Sequence, residues 1–204
     1  MTYLLRIDVS ARGAMSHSRR FADEVMEPIL SRLAVGRVVR RDFARDPPSP
    51  IDEDYVRAML TCTSRETSIG IPALSMSEAF IDELEAARAV LISTPVHNYT
   101  VPASLKAWID HIVRVGRTFE STPAGKVGRM ADRPVVVVSA SGGYFSGGTA
   151  RQPDFFTPYL DAILATIGIC SVTHIRLEGL SRGEDAVRRA YQGARDAMSA
   201  WSAG

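Results

Sequence analysis

Three short stretches carry side chains suited to chemistry. The first holds Ser10 and then Ser16, His17 and Ser18, with hydroxyls and an imidazole placed where a helix pattern begins. A helix N-terminus presents unpaired N–H groups and a partial positive charge, and added hydroxyl donors suit a phosphate. Plain capping by serine accounts for the same residues. The second stretch is Pro95, Val96, His97, Asn98 and Tyr99, which together with Thr94 follows the apolar run 89–93. A rigid proline, a short amide and two flat rings could form one face and edge of a planar ligand. The third is Ala140, Ser141, Gly142 and Gly143. A glycine pair lets a ligand approach the backbone closely and leaves N–H groups to bond it, although an ordinary turn uses the same pair. Gly147-Gly148 reads as a turn only.

These stretches have one thing in common, since each follows an apolar strand pattern. Residues 3–9, 36–43, 89–93, 134–139 and 171–177 read as five strands. Between them run helix patterns. One starts near Ser16 or Ser18 and buries Phe21, Val25, Ile29 and Leu33, with Pro28 expected to kink it or end it early. Ser75 and Glu78 read as a capping box opening a helix to about Ala87. Another begins near Pro102, buries Leu105, Trp108, Ile109, Ile112 and Val113, and ends at Gly116. The last two cover about 153–167 and 183–201. Residues 51–75 hold a short helix around Tyr55 to Leu60 and a polar loop, Thr61 to Gly70, of the kind that forms a flap beside a site. Residues 117–133 read as a small hairpin.

Strands alternating with helices specify a parallel sheet wrapped on both faces. In the doubly wound order 2-1-3-4-5, strands 1, 3 and 4 are adjacent, so their carboxyl-end loops meet at the switch point. Those loops are 10–18, 94–101 and 140–148.

Composition narrows the rest. The chain of 204 residues fits one domain, 1–204, able to bury roughly 70% of its unfolded surface. Its 24 basic and 23 acidic side chains leave a net charge of +1, so nothing electrostatic points to nucleic acid or to a membrane. Cys62 and Cys170 read as free thiols in a reducing compartment, and the N-terminus has no signal-peptide pattern, so the expected location is cytoplasmic. His17, His97, His111 and His174 have no metal-ligand spacing, and His111 and His174 read as structural. G-x-G-x-x-G, the P-loop and the G-x-S-x-G elbow are all absent.

The collinear set Ser10 with Ser16-His17-Ser18, Pro95-Val96-His97-Asn98-Tyr99, and Ser139-Ala140-Ser141-Gly142-Gly143 resembles the FMN-dependent NADH-azoreductase family of flavodoxin-like quinone reductases. The similarity extends through Leu105-Lys106, Arg114 to Phe119, Thr157 to Leu160 and Ile167 to Ile169. The resemblance implies a homodimer with FMN at the interface. It further implies a two-step cycle passing a hydride from NADH or NADPH through the flavin to a quinone or azo compound. It puts the phosphate on Ser10 and Ser16 to Ser18, the isoalloxazine against Val96 to Tyr99, and the pyrimidine edge at Ala140 to Gly143. No side chain has to act as nucleophile, because the flavin carries the chemistry.

The family commonly has Tyr at His97, Arg at Ser141 and an aromatic at Thr166. These departures bear on azo-dye turnover and acceptor preference, with His97 an added proton source near the flavin and Thr166 a more open pocket. Two other readings compete. One is a flavin-binding carrier or redox sensor without efficient turnover, which the scarcity of acidic charge disfavours. The other is a serine hydrolase, which the missing triad disfavours.

Overall fold

Successive residues of the central strands face opposite sides of one sheet, and the core is split accordingly. The computed structural model describes residues 2–62 and 64–203. Strand β1 (Tyr3–Asp8) sends Leu5 and Ile7 to one side and Leu4 to the other. Strand β3 (Ala87–Pro95) divides Val90 and Ile92 from Ala89 and Leu91, and β6 (Val135–Ala140) divides Val135 and Val137 from Val136 and Val138. A strand covered on both faces must be apolar at every position, which is why these segments read as continuous hydrophobic runs.

One side packs on α1 (His17–Leu33) and α7 (Glu184–Ala203), through Phe21, Val25, Ile29, Ala194 and Met198. The other packs on α4 (Ser75–Ala86), α5 (Ala103–Ile112) and α6 (Phe156–Thr166), through Phe80, Leu84, Leu105, Trp108, Phe156 and Leu160. With β2 (Val38–Asp42) and β7 (Val172–Leu177), the sheet is five-stranded and parallel, in the order β2-β1-β3-β6-β7. The hairpin strands β4 (Phe119–Thr122) and β5 (Gly125–Gly128) pair only with each other. Counting the sheet strands alone recovers the expected order 2-1-3-4-5.

Several local expectations are corrected. Helix α1 does not end early at Pro28 but runs on to Leu33. The Ser75–Glu78 capping box does not form. Ser75 Oγ donates to the Pro72 carbonyl, and Glu78 turns to arginines of the α5 end. The box forms instead at Ser64 and Thr67, opening α3 (Arg65–Ser68) inside the expected polar loop, just after α2 (Glu53–Thr61). Helix α5 stops at Ile112, and Gly116 takes a positive φ of 75° in the turn beyond it. Strand β3 continues through Thr94 and Pro95, which the sequence places in the loop. Pro95 is tolerated because it ends the strand, where Val96 takes over the bond to the Ala140 carbonyl at 2.9 Å.

Candidate functional site

At the carboxyl ends of β1, β3 and β6 the three loops converge on one cleft of about 270 Å³. It is lined by Ser10, Arg12, Ser16, His17 and Ser18 at one end, by Pro95, Val96 and His97 along a side, and by Ala140, Ser141 and Gly142 opposite. Leu180 and Ser181 complete the wall.

The first end is a prepared helix N-terminus. Ser16 caps α1, its Oγ accepting from the Arg19 N–H at 3.3 Å and lying 3.1 Å from Ser18 Oγ. Ser10, Ser16 and Ser18 are all buried. The first N–H groups of α1 have no intrahelical acceptor. Arg12 adds the one full positive charge on the lining, with burial and the neighbouring Arg20 and Arg12 holding the His17 imidazole below its ordinary pKa. Beneath this loop the charges are closed off. Arg19 Nε donates to the Ser10 carbonyl at 3.1 Å, while its other nitrogens reach both Asp42 oxygens at 2.7 and 2.5 Å. Asp8 is occupied by Arg6 Nε at 3.1 Å and by the Ser93 hydroxyl at 2.5 Å. Both carboxylates are therefore spoken for, and the hydroxyls face the cleft.

In the second stretch the structure separates what the sequence joins. Pro95, Val96 and His97 line the cleft, but Asn98 and Tyr99 do not. They form the tip of a tight turn closed by two backbone bonds between His97 and Thr100, at 2.9 and 3.0 Å. Both take positive φ, 48° and 71°, as the central residues of a type I′ turn must. Asparagine accepts that conformation readily. Tyrosine holds it with strain of about 1–3 kcal/mol, and the residue is 47% exposed.

The third loop is zipped to the segment after β7. Gly179 N–H donates to the Gly143 carbonyl at 3.0 Å, Leu180 N–H to Ser141 at 3.1 Å, and Ser181 Oγ to Gly142 at 2.7 Å. Ser141 Oγ folds back on the Gly143 carbonyl at 2.7 Å. The N–H groups of Gly142 and Gly143 carry no bond among the described residues, which suits an acceptor edge. A Cβ on Gly142 would come within 3.1 Å of Ser181 Oγ, so a larger residue there crowds the wall itself. Gly143 does not line the cleft, and the space above it belongs to Gln152.

Arg12, Leu180 and Ser181 were missed. Arg12 lay inside a loop already singled out, as its one full cation. Leu180 and Ser181 follow β7, the strand beside β6, and the carboxyl-end argument extended by one strand would have found them. Thr166 ends α6, its hydroxyl on the Ala162 carbonyl at 2.9 Å, away from this cleft. His111 and His174 are structural, bonded to the Ser49 carbonyl at 2.9 Å and to Asp161 at 2.7 Å. Among the described residues no group of side chains could hold a metal, and no helix is long and apolar enough to cross a membrane.

A family model for the flavodoxin-like fold matches residues 2–201. FMN-dependent NADH:quinone oxidoreductase 2 of Cupriavidus pinatubonensis is 45% identical over 202 residues, covering 99% of this chain and 96% of the relative. FMN-dependent NADH:quinone oxidoreductase 4 of Pseudomonas fluorescens is 44% identical, covering 98% and 95%. The crystal structure of an azoreductase from Bacillus anthracis superposes with a TM-score of 0.84 at 21% identity over the whole of both chains. A second Bacillus anthracis structure, an FMN-dependent NADH-azoreductase in complex with FMN, gives 0.75 at 20% identity, covering 99% of this chain and all of that one. With its fold, its cleft at the switch point and these relatives in agreement, the chain belongs to the flavodoxin-like fold family alongside the FMN-dependent NADH:quinone oxidoreductases.

Proposed function

We propose that the cleft holds FMN and that the protein passes reducing equivalents from NADH to quinones, with azo compounds as further acceptors. The observation that carries this reading is the convergence of buried Ser10, Ser16 and Ser18 with the free N–H groups of α1 at one end of a cleft whose opposite wall includes Gly142, whose N–H is unbonded among the described residues. The first suits a phosphate and the second an acceptor edge. When bound, FMN supplies hydride acceptance and hydride release, so the chain needs no nucleophile of its own.

The residues then have distinct tasks. Ser10, Ser16, His17, Ser18 and Arg12 hold the anion. Pro95, Val96 and His97 shape one wall, and Ala140, Ser141 and Gly142 the other. Arg19 fixes the Ser10 loop through the Asp42 pair. A cleft of about 270 Å³ is at the small end for a whole ligand. A second copy of the chain closing the open side, near exposed Tyr99, completes the site in this reading, as a homodimer. The free thiols Cys62 and Cys170 fit a cytoplasmic setting.

The test is the absorption spectrum of the purified protein, followed by NADH oxidation with a benzoquinone. Bound flavin and quinone-dependent turnover are expected. A colourless protein that neither binds added FMN nor turns over would overturn the reading. Flavin binding without turnover would favour the carrier. A hydrolase gains no support, because no histidine nitrogen is bonded to Ser10, Ser16 or Ser18 among the described residues, and His17 Nδ1 is turned to Tyr191.

A further inference from the structure

His17 sits at the head of α1, inside the anion end of the cleft, yet the ring atom Nδ1 is turned away from it. It lies 3.2 Å from the hydroxyl of Tyr191, a residue of the C-terminal helix α7 that is remote in sequence and outside the cleft. The rings meet edge to face, their centroids 5.8 Å apart at 66°. Tyr191 is half-buried and is itself held by three neighbours. Phe21 packs against it at 5.9 Å, and the guanidinium groups of Arg20 and Arg195 lie over its ring at 5.7 and 5.8 Å. Arg195 is anchored by Glu24. A ring fixed so firmly presents its hydroxyl at a set point.

We propose that Tyr191 is a positioning residue that fixes His17 in the tautomer protonated at Nε2, so that the imidazole offers an N–H to the anion at the head of α1. This rests on the reading of the cleft as an FMN site. The hydroxyl can donate to only one acceptor at a time. Its alternative, the His17 carbonyl, lies at 3.5 Å, well beyond a good O–H···O distance, whereas Nδ1 is at 3.2 Å. With Nδ1 accepting, the single proton of a neutral imidazole must sit on Nε2. Burial and the cations Arg20 and Arg12 disfavour the charged ring, and burial likewise favours the protonated phenol. Neutral imidazole has only one N–H, so which nitrogen carries it decides whether the ring helps or repels a phosphate. The C-terminal helix thereby contributes to anion recognition without touching the ligand.

The test compares FMN with riboflavin, which lacks the phosphate, in the parent and in Tyr191→Phe, which keeps the ring and its packing. The expected result is an FMN dissociation constant raised about fivefold, the size of one ordinary hydrogen bond, with riboflavin unchanged. The same substitution in a His17→Ala background should then have no effect on FMN. Equal weakening of both flavins, or of neither, overturns the proposal. Nitrogen NMR of the imidazole in the ligand-free protein gives an independent reading. Protonation at Nε2 in the parent, lost to a mixture in Tyr191→Phe, supports it, and the same tautomer distribution in both overturns it. Should the parent bind no FMN at all, the functional reading fails while the NMR still decides the role of Tyr191.

Discussion

Two buried polar clusters in this chain are built on opposite terms. At the carboxyl edge of the sheet, Ser10, Ser16 and Ser18 are buried hydroxyls that face a cleft, Ser16 bonding Ser18, and Ser10 and Ser16 accepting from backbone N–H groups. Behind α4, Arg114 and Arg117 meet Glu78 at 2.7 and 2.9 Å, and Arg117 continues to Glu85 at 3.0 Å and Asp82 at 3.2 Å. Arg65 of α3 joins the same carboxylates. Burial pushes the Glu78 carboxyl up, but the Ser68 hydroxyl and the two guanidinium groups together outweigh it and hold it below its usual range. Charges that neutralise one another bind α3, α4 and the end of α5 together, although Arg114 Nε and Nη2 carry no bond among the described residues. Neutral donors around a helix N-terminus keep their capacity for a ligand. Buried polarity alone is thus a poor marker of a site, and what distinguishes the two clusters is that one holds charges already paired with their counter-charges and the other neutral donors that face a cleft.

The comparison can be broken in order of effect. Glu78→Ala leaves Arg114, which has no exposed surface, as an uncompensated buried charge. It should cost about 3–5 kcal/mol of stability, read by urea unfolding, with FMN affinity of the folded fraction unchanged. A large loss of affinity at normal stability would dissolve the distinction. Ser16→Ala removes the α1 cap and a cleft hydroxyl together. About 1 kcal/mol of stability should go, and FMN binding by calorimetry should weaken by a similar amount or more. Retained affinity would move the anion elsewhere.

Asp132 is the control, outside both clusters. Its carboxylate accepts from Ser171 Oγ at 2.6 Å and from the N–H groups of Ser171 and Cys170 at 3.0 and 2.8 Å, which hold its pKa down at about 2. A depressed carboxyl stabilises above its ordinary value of 3.8, and that contribution disappears as pH falls toward about 2. Asp132→Asn should therefore be slightly less stable at neutral pH, by under about 1 kcal/mol at so exposed a site. The gap to the parent should narrow through that acid window. A gap that persists at low pH would show that the hydrogen bonds, not the charge, matter.

How much of this was legible in the sequence follows from range. The strands, their order and the three loops rest on local apolar runs and chain alternation, and both are written in the sequence. The Ser10 and Ser16 to Ser18 end was readable because helix capping is local. What failed depended on distant partners. Glu78 looked like a capping residue because Arg114 and Arg117, its true partners, lie more than thirty positions away. Asn98 is a different case, because the turn that His97 and Thr100 close around it is local, but its residue type suits a turn tip and a ligand face equally. Gly143 looked free because Gln152 is brought over it only by the fold. The charged pair Arg6 and Asp8 passed unnoticed inside an apolar strand, since only the stacking of β1 on β3 and α1 shows them satisfied by Ser93 and Asp23.

The Arg19 clamp has a dynamic consequence. One guanidinium grips the Ser10 carbonyl at the cleft and, at the same time, Asp42, the last residue of the edge strand β2. An edge strand has a neighbour on one side only and is among the first parts of a sheet to open. Any ligand that stills the Ser10 loop also steadies that margin, so amide exchange across Val38 to Asp42 should slow when the cleft fills. The edge of the sheet then serves as a remote gauge of occupancy, readable without looking at the ligand.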